Sequence, residues 1–376
     1  MGIVKFGDIV RDVKNNVDRA NNPYEFYVAG DHMDSEDLNI RRRGRFATDD
    51  VGPAFVRIFE PGQILYGSRR TYLKKVAVAD FSGICANTTF VLESKDPKVF
   101  EQRLLPFLML SNAFTEWSIS KSKGSTNPYV LFSDLAGFEF NLPSIDEQKV
   151  LAEKLWAAYE VKQSYLKMID ATDEMVKAQF VEMFGTLTEP KVSISKLIDV
   201  VLCSGQYGSN TSAVEYIDGT PRYIRITDIN EDGSLNDDIK SAEMYDNKYL
   251  LSLNDMVFAR TGATVGKTYL HERGDAIYAG YLIKYQAKND VIRPKYLMAY
   301  THTGTYYNWV NNTQKIGAQP NISATQYDNM PILLPSIEQQ DSFLKISIQA
   351  DKSKAELLKS IDAIDKVIKS LINENL

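Results

Sequence analysis

The chain has 376 residues, with 43 Lys and Arg against 49 Asp and Glu, for a net charge of −6. That length accommodates two domains with ordinary cores, and 44% hydrophobic with 24% charged residues is the balance of a soluble globular protein. Two cysteines, Cys85 and Cys203, support neither a disulfide framework nor a zinc site; no apolar run reaches the ~18 residues of a membrane span, and without a charged-then-apolar leader the expected location is cytoplasmic.

In chain order, residues 1–142 read as mixed helix and sheet. Short β-rich runs at Phe55–Phe59, Val76–Ala79 and Thr88–Leu92 alternate with turns, and a helix is predicted over Val99–Lys121. Basic residues cluster twice, at Arg41-Arg42-Arg43-Gly44-Arg45 and at Arg69, Arg70, Lys74 and Lys75. Either cluster is a solvated loop, or it contacts phosphates and reads guanine through arginine. The polar loop Lys121-Ser122-Lys123-Gly124-Ser125-Thr126-Asn127 follows. It is either an ordinary turn or a site of close backbone approach.

Leu142-Pro143-Ser144-Ile145-Asp146-Glu147-Gln148 then opens a long amphipathic segment with no internal Pro or Gly. Its apolar seam runs Leu151, Leu155, Ala158, Tyr165, Ile169, Thr172, Val176 and Met183, with Lys162 and Gln179 in the missing steps. This is an a/d pattern of period 3.5, the signature of a helix that pairs with another. Ser144 and Glu147 form a capping box at its start; Gly185 and Pro190 end it. At ~1.5 Å per residue, Glu147 to Phe184 is about 57 Å of helix. The chain's acidity sits here: residues 146–190 hold nine acidic and five basic residues. The flanking regions are near neutral, and such domains can still bind DNA through a basic face.

Residues 191–334 are again mixed helix and sheet, with predicted strands at Tyr223–Ile229, Met256–Ala259 and Ile277–Tyr285 and a helix at Lys295–Asn312. Arg222, Arg225, Arg260 and Lys267 are spread among Tyr, Thr and Asn. A second polar loop, Thr313-Gln314-Lys315-Ile316-Gly317-Ala318-Gln319, contains amide and ammonium groups suited to base edges. The last segment, 335–376, repeats the seam through Phe343, Ser347, Ala350, Leu357, Ile361, Ile364, Ile368 and Leu371, with Lys354 in the gap. Ser336 and Gln339 cap it. Two unrelated surface helices would show the same amphipathicity, but not the same register.

The two halves are copies. Leu334-Pro335-Ser336-Ile337-Glu338-Gln339-Gln340 repeats the earlier motif, and Pro143 and Pro335 stand 192 residues apart. The spacing holds without gaps for Trp117 and Trp309, Pro128 and Pro320, Val130 and Ile322, Lys162 and Lys354, and Asp173 and Asp365. Upstream the halves agree only in outline: Val4, Phe6 and Ile9 resemble Val192, Ile194 and Leu197, and Ile64–Gly67 resembles Met256–Ala259. A period this long means duplicated domains, not a solenoid.

No catalytic constellation stands out. Gly262-Ala263-Thr264-Val265-Gly266-Lys267-Thr268 has three residues between its glycines where a P-loop needs four. Asn127-Pro128-Tyr129 resembles the Asn-Pro-Pro-Tyr motif of adenine methyltransferases but lacks the second Pro, and no Gly-rich S-adenosylmethionine loop accompanies it. His32, His271 and His302 are scattered.

Two diverged globular halves, each followed by a Leu-Pro-Ser-Ile motif and a long pairing helix, resemble the specificity (S) subunit of type I restriction–modification systems over essentially the whole chain. Tyr223-Ile224-Arg225-Ile226-Thr227-Asp228-Ile229 and Arg260-Thr261-Gly262-Ala263-Thr264-Val265-Gly266-Lys267 are similar to recurrent segments of that family's target recognition domains. Tyr27-Val28-Ala29-Gly30-Asp31-His32 and Ile64–Arg70 occupy the equivalent places but depart from the pattern.

The resemblance implies an α+β (mixed α/β) fold with a pseudo-twofold internal repeat: target recognition domains at 1–142 and 191–334, joined by antiparallel coiled-coil helices at 143–190 and 335–376. It implies a non-catalytic subunit that reads a bipartite, asymmetric site on double-stranded DNA. Its helices set the spacer and dock two modification (methyltransferase) subunits, with restriction subunits as further partners and no membrane. No cofactor is expected in this chain, and S-adenosylmethionine is expected on the methyltransferase subunit. The expected DNA contacts are Arg41, Arg42, Arg43, Arg69, Arg70, Lys121, Lys123, Arg225, Arg260, Lys267, Lys315 and Gln319. The expected helix-pairing residues are Leu151, Leu155, Tyr165, Ile169, Val176, Phe343, Leu357, Ile361, Ile364 and Ile368. A duplicated scaffold that binds only proteins, or a nuclease with an unrecognised site, are the alternatives.

Overall fold

The computed structural model describes residues 2–18, 21–314 and 320–376. The chain is a mixture of helix and sheet divided into two compact units: residues 1–166 with 358–376, and residues 167–357. Each of the two long helices, Ile145–Phe184 and Ile337–Asn375, contributes one part to each unit.

Both helices begin as their sequences dictate. The Ser144 backbone N–H donates to Glu147 Oε2 at 2.9 Å, and the Glu147 N–H returns to Ser144 Oγ at 3.4 Å. Ser336 and Gln339 repeat the box at 3.0 and 3.4 Å. The first helix stops at Gly185, whose φ of +77° and 2.2 Å clearance to the Glu189 carbonyl admit no Cβ.

The repeated Gln of the motif has a definite task. Gln148 is fully buried; its amide donates to the carbonyls of Pro143 (2.9 Å) and Val99 (3.1 Å) and accepts the Glu101 N–H at 2.9 Å. Gln340, equally buried, donates to Pro335 and Val291 at 3.0 Å each and accepts the Arg293 N–H at 2.8 Å. Each glutamine clamps its helix to the loop before the paired short helices of its own unit. Replacing Gln148 with Leu keeps the shape but strands two carbonyls and an N–H, at a cost of about 2–4 kcal/mol. Native-state hydrogen exchange should then show faster opening of the first unit and an unchanged second unit. Unchanged protection in both would mean the clamp contributes nothing.

In the first unit, residues 145–166 and 358–376 run antiparallel. Leu151, Leu155 and Tyr159 join Ile372, Ile368 and Leu371 in one core with Phe6, Phe107, Phe114 and Phe140. Tyr165 and Ile364 are half-buried and Ile361 is buried. Lys162 Nζ lies 2.6 Å from Asp365 Oδ1. The second unit repeats this with the copies exchanged. Phe180, Phe184 and Phe343 pack together with Tyr296, Ile169, Val176 and Leu357 are half-buried, and Lys354 Nζ lies 2.6 Å from Asp173 Oδ1. Lysines in the seam are thus matched by acids from the other copy, which satisfies them and fixes register.

Each unit carries a two-stranded pair and a four-stranded sheet of the same order. Gly2–Lys5 pairs with Glu139–Leu142, and Ser193–Lys196 with Pro331–Leu334, both antiparallel. The first four-stranded sheet runs Val10–Asp12, Thr89–Ser94, Ile64–Gly67, Val76–Val78; the second runs Gln206–Tyr207, Leu282–Gln286, Asp255–Ala259, Thr268–Leu270. The last two strands of each sheet keep the spacing of the helix motif, so the duplication reaches further upstream than residue identity reveals. Phe26–Val28 runs parallel to Gly83–Ala86, as Arg222–Ile224 does to Ala276–Tyr278.

Several expected elements are broken. The predicted helix Val99–Lys121 is two helices, Leu105–Leu110 and Asn112–Ser120, because Ser111 turns its side chain back to cap the Phe114 N–H at 3.1 Å. Its counterpart breaks before Thr303, which caps Tyr306. Ile277–Tyr285 is two strands separated by a turn at Ala279-Gly280-Tyr281, closed by the Leu282 N–H on the Ala279 carbonyl. The predicted strand Tyr223–Ile229 ends at Ile224 and passes into a single 3-10 turn, Ile226–Asp228.

Candidate nucleic-acid interface

The geometry common to both units is a loop at the end of the central strand. In the first unit it is Ser68–Lys75, after Ile64–Gly67; in the second it is Arg260–Lys267, after Asp255–Ala259. The two loops make the same backbone bonds. Arg70 N–H donates to the Pro128 carbonyl and Gly262 N–H to Pro320; Val130 N–H donates to Ser68 and Ile322 N–H to Arg260; Gly67 N–H donates to Lys75 and Ala259 N–H to Lys267. The loop is therefore a rigid shelf, pinned to the segment that carries the repeated proline.

The same shelf carries different side chains. In the second unit its two left-handed positions are glycines, Gly262 (φ +71°) and Gly266 (φ +89°). In the first they are Arg70 (φ +51°) and Lys74 (φ +48°). A residue with a Cβ costs roughly 1–2 kcal/mol in that conformation.

In the first unit Arg69 and Arg70 are exposed and, among the described residues, their side chains make no hydrogen bond or ion pair. Lys121 and Lys123 stand on the adjoining loop. Ser122 Oγ is 3.4 Å from Thr71 Oγ1, and Tyr129 bridges in the backbone to both Lys123 and Arg69. Lys121 Nζ sits 4.4 Å from the Trp117 ring, and Lys123 pairs with Asp134 at 2.9 Å. These four cations thus share one patch, with the exposed rings of Tyr72 and Tyr129 beside them.

Arg41, Arg42 and Arg43 are engaged elsewhere. Arg41 pairs with Asp37 at 2.5 Å and donates to Gln163 of the first long helix. Asp37 also accepts the Tyr159 hydroxyl at 2.5 Å. Burial raises the Asp37 pKa, but the bonds from Tyr159, Arg41 and the Asn39 backbone outweigh it and hold the carboxyl below its ordinary range. Arg42 pairs with Asp34, and Arg43 lies 4.0 Å from the Phe26 ring and 4.9 Å from Phe81. Arg41 therefore ties its loop to the helix, a role that the run of arginines alone did not suggest.

In the second unit the Arg260 guanidinium stacks 4.8 Å from the ring of Tyr207, and its buried Nε has no hydrogen-bond partner among the described residues. Lys267 pairs with Glu231 at 2.8 Å and donates to the Ile229 carbonyl at 3.3 Å. Arg225 is gripped by Asp228 (2.6 Å) and Asp238 (2.8 Å); the bond to Asp228 is the main reason its pKa rises above the ordinary value. At the equivalent turn of the first unit, His32 Nδ1 accepts the Ala29 N–H at 3.1 Å and no guanidinium is present. Lys315 and Gln319 lie outside the described residues. The exposed tyrosines Tyr72, Tyr129, Tyr207 and Tyr281 were not anticipated; the signal was a count of 21 tyrosines. Among the described residues no group of three His, Cys, Asp or Glu is placed to hold a metal ion, and no helix is long and apolar enough to cross a membrane.

The chain matches the family described as type I restriction modification DNA specificity domain over residues 14–164 and 192–374. It is 27% identical over 148 residues to the type I restriction enzyme EcoDI specificity subunit of Escherichia coli, a match covering 39% of this chain and 32% of that protein. The match thus spans about a third of that relative's length. The fold is similar to a chain from structural work on complex assembly and conformational transition of the type I R-M system, with a TM-score of 0.58 and 19% identity over 100% of this chain and 97% of that one. It is similar also to the S subunit of a type I restriction–modification system from M. genitalium, with a TM-score of 0.53 and 13% identity over 100% and 96% of the two chains. With the specificity domain matched in both halves, the chain belongs to the type I restriction–modification specificity-subunit family.

Proposed function

We propose that each unit reads one half of a bipartite, asymmetric site on double-stranded DNA through its proline-pinned shelf. The observation that carries this reading is one backbone frame whose side chains differ: Arg69 and Arg70 on the first shelf stand where the second has Thr261 and Gly262, Arg260 on the second stands where the first has Ser68, and Lys75 and Lys267 are common to both. A shared frame docks both units on the duplex in the same way, whereas different side chains give different half-sites. The paired helices set the distance between half-sites and dock two modification subunits, and restriction subunits join that assembly. Methylation, with its S-adenosylmethionine, and cleavage belong to those partners, and this chain performs no chemistry. The complex works in the cytoplasm, where the DNA is.

The test is a gel shift of the full chain with and without its modification subunits, coupled to methylome sequencing of a host carrying the system. Retarded duplex and a methylated motif with two dissimilar halves are expected. Protein association without any DNA shift would make the chain a scaffold. Metal-dependent cleavage by the chain alone would make it a nuclease.

A further inference from the structure

Three residues of the first unit, none of them glycine, lie in the left-handed region: Arg70 (φ +51°) and Lys74 (φ +48°) on the shelf, and Glu36 (φ +56°) on a separate turn packed against it. Two of them account for each other. Lys74 Nζ is 2.9 Å from Glu36 Oε1, and the Glu36 N–H donates to the Lys74 carbonyl at 3.1 Å. Arg70 has no such partner: its backbone is pinned to Pro128 and its exposed side chain is bound to nothing among the described residues. In the second unit the same position, with the same backbone bond, is Gly262, so the shelf itself is complete without a side chain there.

We propose that Arg70 is a specificity-determining residue that reads the edge of a guanine in the half-site bound by the first unit. This rests on the reading of the shelf as a DNA-docking surface. A phosphate contact asks little of the backbone, because a flexible cation can reach a phosphate from many positions. A bidentate guanidinium on guanine O6 and N7 must arrive in one direction. The left-handed backbone, pinned to Pro128, fixes the direction in which the Arg70 side chain leaves the shelf, and that side chain has no partner among the described residues, which matches the second demand. Arg260 meets it differently in the second unit. It stands at the start of the shelf, where the first unit has Ser68, and is oriented by Tyr207. The two halves therefore present a guanidinium from positions two residues apart on a common frame.

The test uses the full chain assembled with its modification subunits, in three forms: wild type, Arg70→Gly and Arg70→Lys. Glycine suits the backbone at this position, so Arg70→Gly should fold with an equal or higher Tm. Both variants should lose discrimination at one G·C position of one half-site, by roughly 5- to 150-fold in binding competition. Methylome sequencing should show that position relaxed and the other half-site unchanged. Lysine keeps the charge but not the fork, so it should not restore the lost base.

Uniform weakening on all sequences, rescued by Arg70→Lys, would make Arg70 a phosphate contact and overturn the inference. So would unchanged specificity in both variants, with the docking role of the shelf still standing. A wild-type complex without sequence-specific binding would instead overturn the DNA-reading function itself, and this inference with it.

Discussion

Removing one heptad from each long helix should shorten the spacer between half-sites by about three base pairs, leaving the bases read in each half unchanged. Residues 164–170 and 356–362 are the segments to delete. In the first helix the cut lies between Lys162 and Asp173, and in the second between Lys354 and Asp365, so both ion pairs survive. Seven residues remove about 10.5 Å of helix and turn the helix face by only ~20°. The loss of length equals about three steps at ~3.4 Å per base pair. Three base pairs also turn the second half-site by roughly 100° about the DNA axis, at ~10.5 base pairs per turn. The shortened protein must therefore twist its site and should bind less tightly overall, while its preference still moves. Methylome sequencing of the variant decides the matter: the same spacer as wild type would end the idea that the helices act as a ruler.

The helices were the most legible part of the chain, for physical reasons. They lack internal Pro and Gly, they have side-chain caps at their starts, and their apolar period is sustained. What the seam hid is that the paired helices are also part of the globular cores. Tyr159, Phe180 and Phe184 belong to the globular cores, and a helix cannot announce in its own pattern which neighbour covers it. Ser111 and Thr303 break helices by a local choice of hydrogen bond, which periodicity does not register. The candidate cations stood out in the sequence by residue type and loop position. Which of them are held by acids did not, because the pairing of Arg41 with Asp37, Arg42 with Asp34, Lys123 with Asp134 and Lys267 with Glu231 depends on how each loop folds. The left-handed place of Arg70 had a sequence signal. Carrying the helix-motif spacing upstream sets Arg70 against Gly262 and Lys74 against Gly266, and a glycine at a turn marks the conformation its counterpart must adopt.

Reversing charge at both Arg69 and Arg70 should weaken binding of the assembled complex to its own site by about 150-fold. A charged hydrogen bond contributes ~1.5–3 kcal/mol; two of them at the low end make about 3 kcal/mol, and that converts to roughly this factor. Both side chains are exposed and unpartnered among the described residues, so Arg69→Glu with Arg70→Glu breaks no internal contact and the fold should stand. The two positions act differently. Arg69 is in ordinary backbone geometry and suits a phosphate; its loss should lower the slope of log K against log salt by about one. Arg70 supplies the base contact, so its share of the loss should vanish on a site already mutated at the guanine it reads. Lys121 and Lys123 remain on the neighbouring loop and should preserve weak, salt-sensitive binding to any sequence. The same double change should leave the half-site of the second unit fully read, as judged by competition with sites altered only in that half. Unchanged affinity together with an unchanged salt slope would remove both arginines from the interface. The first unit would then have to read its half-site through a surface other than the shelf.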